Sequence, residues 1–150
     1  QRTKFAPAML NWQVVNVLLP VAEHLNEQAL SEELADWKSK DYWGSPDKLA
    51  WVRRCKNNDP ISISCLTLGR TRVLHMPGEL FVEYQLAAKA MRPDLNVAMA
   101  AYGDYGPGYI GTAIAYEEGG YETSQRASNV APEAEKVLIS ATQELLGVSP

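Results

Sequence analysis

The sequence predicts a mixed α/β fold: a mixed sheet with a strand-helix-strand crossover and flanking helices. Three observations predict it. Short β-branched or apolar runs alternate with stretches whose apolar residues recur at helical spacing. Gly- and Pro-containing turns separate them. The stretch from Leu74 to Tyr121 reads as strand, tight turn, helix, strand and a long Gly-rich loop.

Residues 1 to 11 read as an entering segment. Trp12 to Val21 (WQVVNVLLPV) reads as a strand that Pro20 ends. Leu25, Leu30, Leu34 and Trp37 predict an amphipathic helix over 27–39. Lys40 to Gly44 is a turn. Ser45-Pro46 starts a helix, with Ser as N-cap and Pro at the first helical position. That helix carries Leu49, Val52 and Cys55 and stops at Asn57-Asn58-Asp59-Pro60.

Ile61 to Leu68 (ISISCLTL) is a strand, Gly69-Arg70 a two-residue turn, and Thr71 to Met76 the returning hairpin partner. Pro77-Gly78 stops that strand, because Pro cannot donate to a ladder. Glu79 is expected to open a helix with Phe81, Tyr84, Ala88 and Met91 at helical spacing. Arg92-Pro93-Asp94 ends it, since the residue before Pro is pushed out of the α region. Val97 to Tyr102 (VAMAAY) is the next apolar strand. After a loop, Pro132 to Glu135 begins a last helix that turns Val137, Leu138, Ala141 and Leu145 inward and is capped by Gly147.

A strand-helix-strand unit of this length is ordinarily a right-handed parallel crossover. The loop holding Glu79 and the loop from Gly103 to Tyr109 then both leave the carboxyl ends of their strands. They are expected on one edge of the sheet, where open α/β sheets place ligands.

The chain of 150 residues suffices for one core. Its composition, 46% hydrophobic and 21% charged, is ordinary for a globular protein. A net charge of −4 offers no electrostatic argument for a nucleic-acid partner or an anionic membrane surface. No apolar run approaches bilayer-spanning length. The start QRTKFAP lacks a signal-peptide pattern, and a trimmed product or a part of something longer is expected. The two cysteines, Cys55 and Cys65, leave open either one bridge closing a short loop or two buried thiols. Lacking a neighbouring His, they make a poor zinc site.

Among candidate chemical groups, Glu79 stands out. A carboxylate at a strand's carboxyl end is a hard metal ligand or a general base. His75 belongs to a strand, with Pro77-Gly78 between it and Glu79. Helical spacing therefore does not pair the two, and His75 reads as packed or hydrogen-bonded. His24 reads as a surface residue. The Gly103–Gly111 loop lacks the Lys and Ser/Thr of a phosphate-binding loop. Tyr102, Tyr105, Tyr109, Tyr116 and Tyr121 form an unusually dense tyrosine set. Glu117 and Glu118, ahead of Gly119-Gly120, read as a solvated turn.

Together these residues resemble the neutral ceramidase family (neutral/alkaline non-lysosomal ceramidases), in the later part of its catalytic domain. The resemblance rests on Pro77-Gly78-Glu79 between a strand and a helix, then Tyr109-x-x-Thr112, Glu117-Glu118, Tyr121-Glu122 and Ser124. The Tyr109 to Tyr121 interval matches the family's spacing without a gap. Stretches such as PGELFVEYQLAA and GPGYI extend the likeness over most of residues 12 to 146. Asp104 to Gly108 stands where animal members carry a more polar loop bordering the pocket.

The resemblance implies a single structural unit, residues 1–150, forming the C-terminal portion of a larger catalytic domain. It implies a zinc-dependent amidohydrolase of sphingolipid metabolism that cleaves ceramide to sphingosine and a fatty acid. Glu79 and Tyr109 correspond to two zinc ligands, and Tyr121 to the tyrosine that stabilises the oxyanion. The family's two histidine ligands come from upstream, so this chain alone is expected to be inactive. Expected partners are a lipid amide, the upstream part of the same domain, and a membrane surface reached through the substrate. A secreted or periplasmic location is implied on the same ground. Two alternatives are a metal-dependent hydrolase of a non-lipid amide or ester, and a non-catalytic binding domain. An apolar groove beside Tyr109 suits ceramide and a polar pocket suits the former; the latter expects Glu79 and Tyr109 to lie far apart.

Overall fold

A computed structural model describes residues 9–38 and 42–148. The elements are β1 (Leu10–Val17), α1 (Glu27–Ala35), a 3-10 turn (Tyr42–Gly44), α2 (Ser45–Lys56), β2 (Ile61–Leu68) and β3 (Thr71–His75). Then follow β4 (Glu79–Leu80), α3 (Val82–Met91), β5 (Asn96–Ala100), β6 (Tyr109–Ile110), α4 (Ala113–Glu118) and α5 (Ala134–Leu146). Four strands form a mixed sheet in the order β1-β2-β3-β5. The pairs β1·β2 and β2·β3 are antiparallel, while β3 and β5 are parallel across the α3 crossover. The mixed α/β architecture expected from the sequence is the one observed.

Side chains alternate across a sheet with a period of two, so each strand offers two faces. On one face Ile61, Ile63, Cys65, Leu74 and Val97 are buried, in one cluster with Tyr84 and Ala88 of α3 and with Ala134, Leu138, Ala141 and Leu145 of α5. Full burial of each aliphatic side chain is worth about 1.5–3 kcal/mol. Gly147 closes α5 in the left-handed conformation, at φ +66°. The opposite face is bare: Leu10, Trp12 and Val14 are 71%, 53% and 53% exposed. Leu68 of β2 and Ala98 and Ala100 of β5 continue that exposed face. A smaller cluster of Leu30, Leu49 and Val52 joins α1 to α2.

Several expectations are corrected. Glu79 does not open the helix. It lies in β4, and α3 starts at Val82 with Phe81 as its cap. Its backbone N–H donates to Gly108 O, which draws the residue into a strand ladder instead of a first helical turn. The first strand spans Leu10–Val17 and ends before Pro20, because Val17 pairs with Ile61 and Pro60, next in the partner, has no N–H to offer. Helix α1 ends at Ala35: the Asp36 carboxylate accepts the Lys38 N–H at 3.0 Å, which favours a turn over another helical residue. Trp37 is therefore exposed at 70% instead of facing the core. Residues 1–8 of the entering segment, Ser39, and Lys40 and Asp41 of the expected turn lie outside the described residues.

Ser45 is the first residue of α2, not its cap; its hydroxyl donates to Glu33 Oε2 at 2.5 Å, tying α2 to α1. The expected long loop after β5 contains β6 and α4, the latter capped by Thr112 Oγ1 accepting the Ala115 N–H at 3.2 Å. Glu117 and Glu118 thus end a helix instead of forming a turn. Strand β5 is an edge strand in which only Val97 is fully buried. Both cysteines are free thiols, and burial raises the pKa of each, that of Cys55 to about 11.

Candidate functional site

Past β3 the chain turns at Pro77-Gly78, with Gly78 left-handed at φ +57°. A Cβ on Gly78 would lie 2.6 Å from the Gly108 carbonyl oxygen, so only glycine lets the two loops approach this closely. Backbone hydrogen bonds then interlock them. Gly78 N–H donates to Asp104 O at 2.6 Å and Tyr102 N–H to Gly78 O at 2.8 Å. Glu79 N–H donates to Gly108 O at 2.9 Å and Phe81 N–H to Ile110 O at 3.1 Å. This ladder is a second, two-stranded parallel sheet in which Glu79 stands opposite Tyr109 and Leu80 opposite Ile110. A third segment braces it, through Tyr109 N–H to Ala127 O at 3.0 Å.

The Glu79 carboxylate lies between two phenols. Hydrogen bonding to it is the leading cause that pushes Tyr109 up to about 12, and it raises Tyr102 as well. Tyr102 is a non-glycine residue held at φ +65°. That conformation costs about 1–2 kcal/mol for an L-residue and is sustained here by its N–H bond to Gly78. Tyr105 stacks on Tyr102, ring centroids 6.3 Å apart. Tyr121 meets Tyr109 edge-on at 6.2 Å and is 60% exposed. Behind them the buried Tyr84 hydroxyl donates to Gly111 O at 2.9 Å, and burial raises its pKa. Arg54 pairs with Asp104 and anchors the 103–108 loop to α2.

No protein-family model matches the chain, and no curated protein matches it. Among solved structures, a ceramidase complexed with C2 superposes with a TM-score of 0.46 at 18% identity, over 59% of this chain and 15% of that one. A neutral ceramidase from Pseudomonas aeruginosa superposes with a TM-score of 0.49 at 13% identity, over 95% of this chain and 29% of that one. The chain spans less than a third of the length of either, 15% and 29% respectively.

A cavity of about 490 Å³ opens beside Tyr109 and Tyr121, with Trp51, Tyr105, Lys48 and Arg126 also on its wall. Its wall combines the rings of Trp51, Tyr105, Tyr109 and Tyr121 with the charged side chains of Asp47, Lys48, Arg54 and Arg126. Among the described residues, no group of three or more His, Cys, Asp or Glu is placed to hold a metal ion. Glu79 and Tyr109 offer two oxygen donors side by side.

The histidines lie elsewhere. His75 rests against Trp12 with ring centroids 5.1 Å apart, and its buried Nδ1 has no hydrogen-bond partner among the described residues. His24 is half-buried and not the surface residue expected. Burial, and then the charge of Lys48, hold its imidazole below the ordinary range. Sequence reasoning singled out Glu79, Tyr109 and Tyr121 but passed over Tyr102, Trp51, Lys48 and Arg126. Tyrosine density was the only signal for Tyr102. Lys48 and Trp51 lie one turn apart on α2 but belong to no recognisable motif, and Arg126 is distant from both in the chain.

Proposed function

We propose that this chain is the later part of the catalytic domain of a zinc-dependent amidohydrolase resembling the neutral ceramidases. In this reading Glu79 and Tyr109 supply two of four metal ligands and Tyr121 faces the developing oxyanion. The observation that carries it is the register of β4 with β6, which sets Glu79 directly opposite Tyr109. Both side chains are hard oxygen donors, suited to a divalent cation though not specific for zinc. They account for half of a four-coordinate set, and two histidines from the upstream part of the domain complete it. Bound zinc would supply an activated water and polarise the amide carbonyl. In its absence Glu79 orients the Tyr109 phenol and keeps it protonated.

The bare sheet face supports the expectation of a partner from the same domain, since Leu10, Trp12, Val14 and Leu68 form an apolar surface no element of the described residues covers. The substrate is an N-acyl amide, with ceramide the family's example. The protein would then act in sphingolipid metabolism, exported or periplasmic and working at a membrane surface through its substrate. The cations on the cavity wall favour a second reading, a metal-dependent hydrolase of a non-lipid amide or ester. A non-catalytic binding domain is less favoured, because Glu79 and Tyr109 are adjacent.

The test is a calorimetric zinc titration with an amide-release assay, on this chain and on the chain joined to its upstream part. The chain alone is expected to bind zinc weakly and to release no fatty acid from ceramide, because a half-set of ligands binds poorly. The extended protein is expected to bind zinc tightly and turn over an N-acyl amide. Glu79→Gln or Tyr109→Phe should lower both by roughly tenfold or more. Turnover by the chain alone, or an extended protein indifferent to Glu79→Gln, would overturn the reading.

A further inference from the structure

We propose that the cavity beside Tyr109 and Tyr121 binds an oxyanion, a carboxylate or phosphate carried on the substrate, through Lys48 and Arg126. The link to a substrate rests on the amidohydrolase reading; the anion site itself does not.

The cavity is built and not incidental. Trp51 forms its floor, nearly fully buried, with the indole N–H donating to Asn129 O at 2.8 Å. Gly106 lets the tyrosine loop close onto that indole, since a Cβ there would meet Trp51 Cε3 at 2.8 Å. Lys48 Nζ donates to Gln125 O at 3.2 Å, which holds the ammonium next to the residue preceding Arg126. Lysine has three N–H donors, so that one bond leaves two for a ligand. Arg126 has no ion pair and no hydrogen bond among the described residues. Arg54, the third cation on the wall, is engaged by Asp104. Arg126 and the two remaining donors of Lys48 therefore share the wall with one carboxylate, that of Asp47, in a chain whose net charge is −4. Paired cations at a partly enclosed aromatic pocket recognise an oxyanion by charge-assisted hydrogen bonds. The phenols of Tyr109 and Tyr121 line the same cavity, which sets the anion within one small molecule's length of the proposed reacting centre.

The test is a ¹⁵N NMR titration of this chain, at constant ionic strength, with N-acetylglycine, N-hexanoylglycine, N-acetylethanolamine and inorganic phosphate. The expected result is saturable shifts of the Trp51 indole and of the Gly106 and Ala127 amides with both glycine conjugates and with phosphate. The neutral ethanolamide should bind roughly tenfold more weakly. Lys48→Met and Arg126→Met should each weaken the anions about fivefold or more, with Lys48→Arg and Arg126→Lys recovering most of the loss. A gain for the hexanoyl over the acetyl conjugate assigns the anion to a lipid-like substrate; equal affinities assign it to a soluble one. Equal binding of the neutral amide, or anion binding unchanged in both methionine variants, would overturn the proposal. Glu79→Gln should leave anion binding intact. Loss of the metal-site reading and loss of this one are therefore read separately.

Discussion

The two faces of the four-stranded sheet carry similar residues and meet opposite fates. On one, Ile63, Cys65 and Leu74 vanish under α3 and α5. On the other, Leu10, Trp12, Val14 and Leu68 stand in solvent. Burial depends on what the chain can fold back onto a face, and not on the hydrophobicity of the face. The crossover between β3 and β5 and the C-terminal helix both fall on one side, so the described residues supply one cover. An apolar sheet face of this size is the kind of surface that ordinarily meets another element. The proposed metal edge grows out of β3 and is anchored to the covered side through Met76 and Tyr84.

The difference can be tested by substitution. The largest effect is expected at Leu74→Ala on the covered face, where the lost side chain leaves a cavity. It should lower the unfolding free energy in urea by about 2–5 kcal/mol. A smaller loss would show that the covered face is loosely packed. Next is Gly78→Ala, which forces a side chain into a left-handed residue against the Gly108 carbonyl. It should destabilise by at least about 1–2 kcal/mol and shift the NMR signals of Tyr102 and Tyr109. An undisturbed spectrum would mean that the interlocked loops do not set the site.

A third effect is alkaline. Cys55 is raised from 9.0 to about 11 and Tyr109 from 10.0 to about 12, so the folded chain holds both protons longer than the unfolded chain. Their stabilising contributions are complete below about pH 9 and are lost as pH rises to about 12, because unfolding then releases protons. The urea midpoint should fall across that window. Glu79→Gln removes the leading cause at Tyr109, returns its phenol toward 10.0, and should flatten the upper part of the decline. An unchanged Tyr109 titration in Glu79→Gln, followed by ¹³C-tyrosine NMR, would contradict the contact.

The smallest effect is expected at Val14→Thr on the bare face, within about 0.5 kcal/mol. A loss of several times that would mean the face is covered in solution. The same substitution in a protein extended upstream should cost appreciably more if the missing cover comes from there.

Residue patterns made much of this legible. The hairpin from Ile61 to Met76 followed from alternation and the Gly69-Arg70 turn, and the α5 core face from helical spacing. The crossover argument also placed the Glu79 and Tyr109 loops on one edge. Local signals misled where a partner decided the outcome. Glu79 carries a helix-start pattern, yet its N–H is captured by Gly108, so it became a strand residue. Pro20 is a strand breaker, yet β1 stopped earlier because its partner ended at Pro60. Ser45 is a good cap by type, yet its hydroxyl is drawn to Glu33.

By itself, the sequence determined the alternation of strands and helices, the crossover and the residues that pack α5, because period and turn chemistry act within a few positions of the chain. Tertiary structure alone decided that Glu79 sits opposite Tyr109, that Tyr102 is held left-handed, and that Lys48, Trp51 and Arg126 share one cavity. Those outcomes depend on hydrogen bonds and packing between segments distant in the chain, which no local pattern encodes.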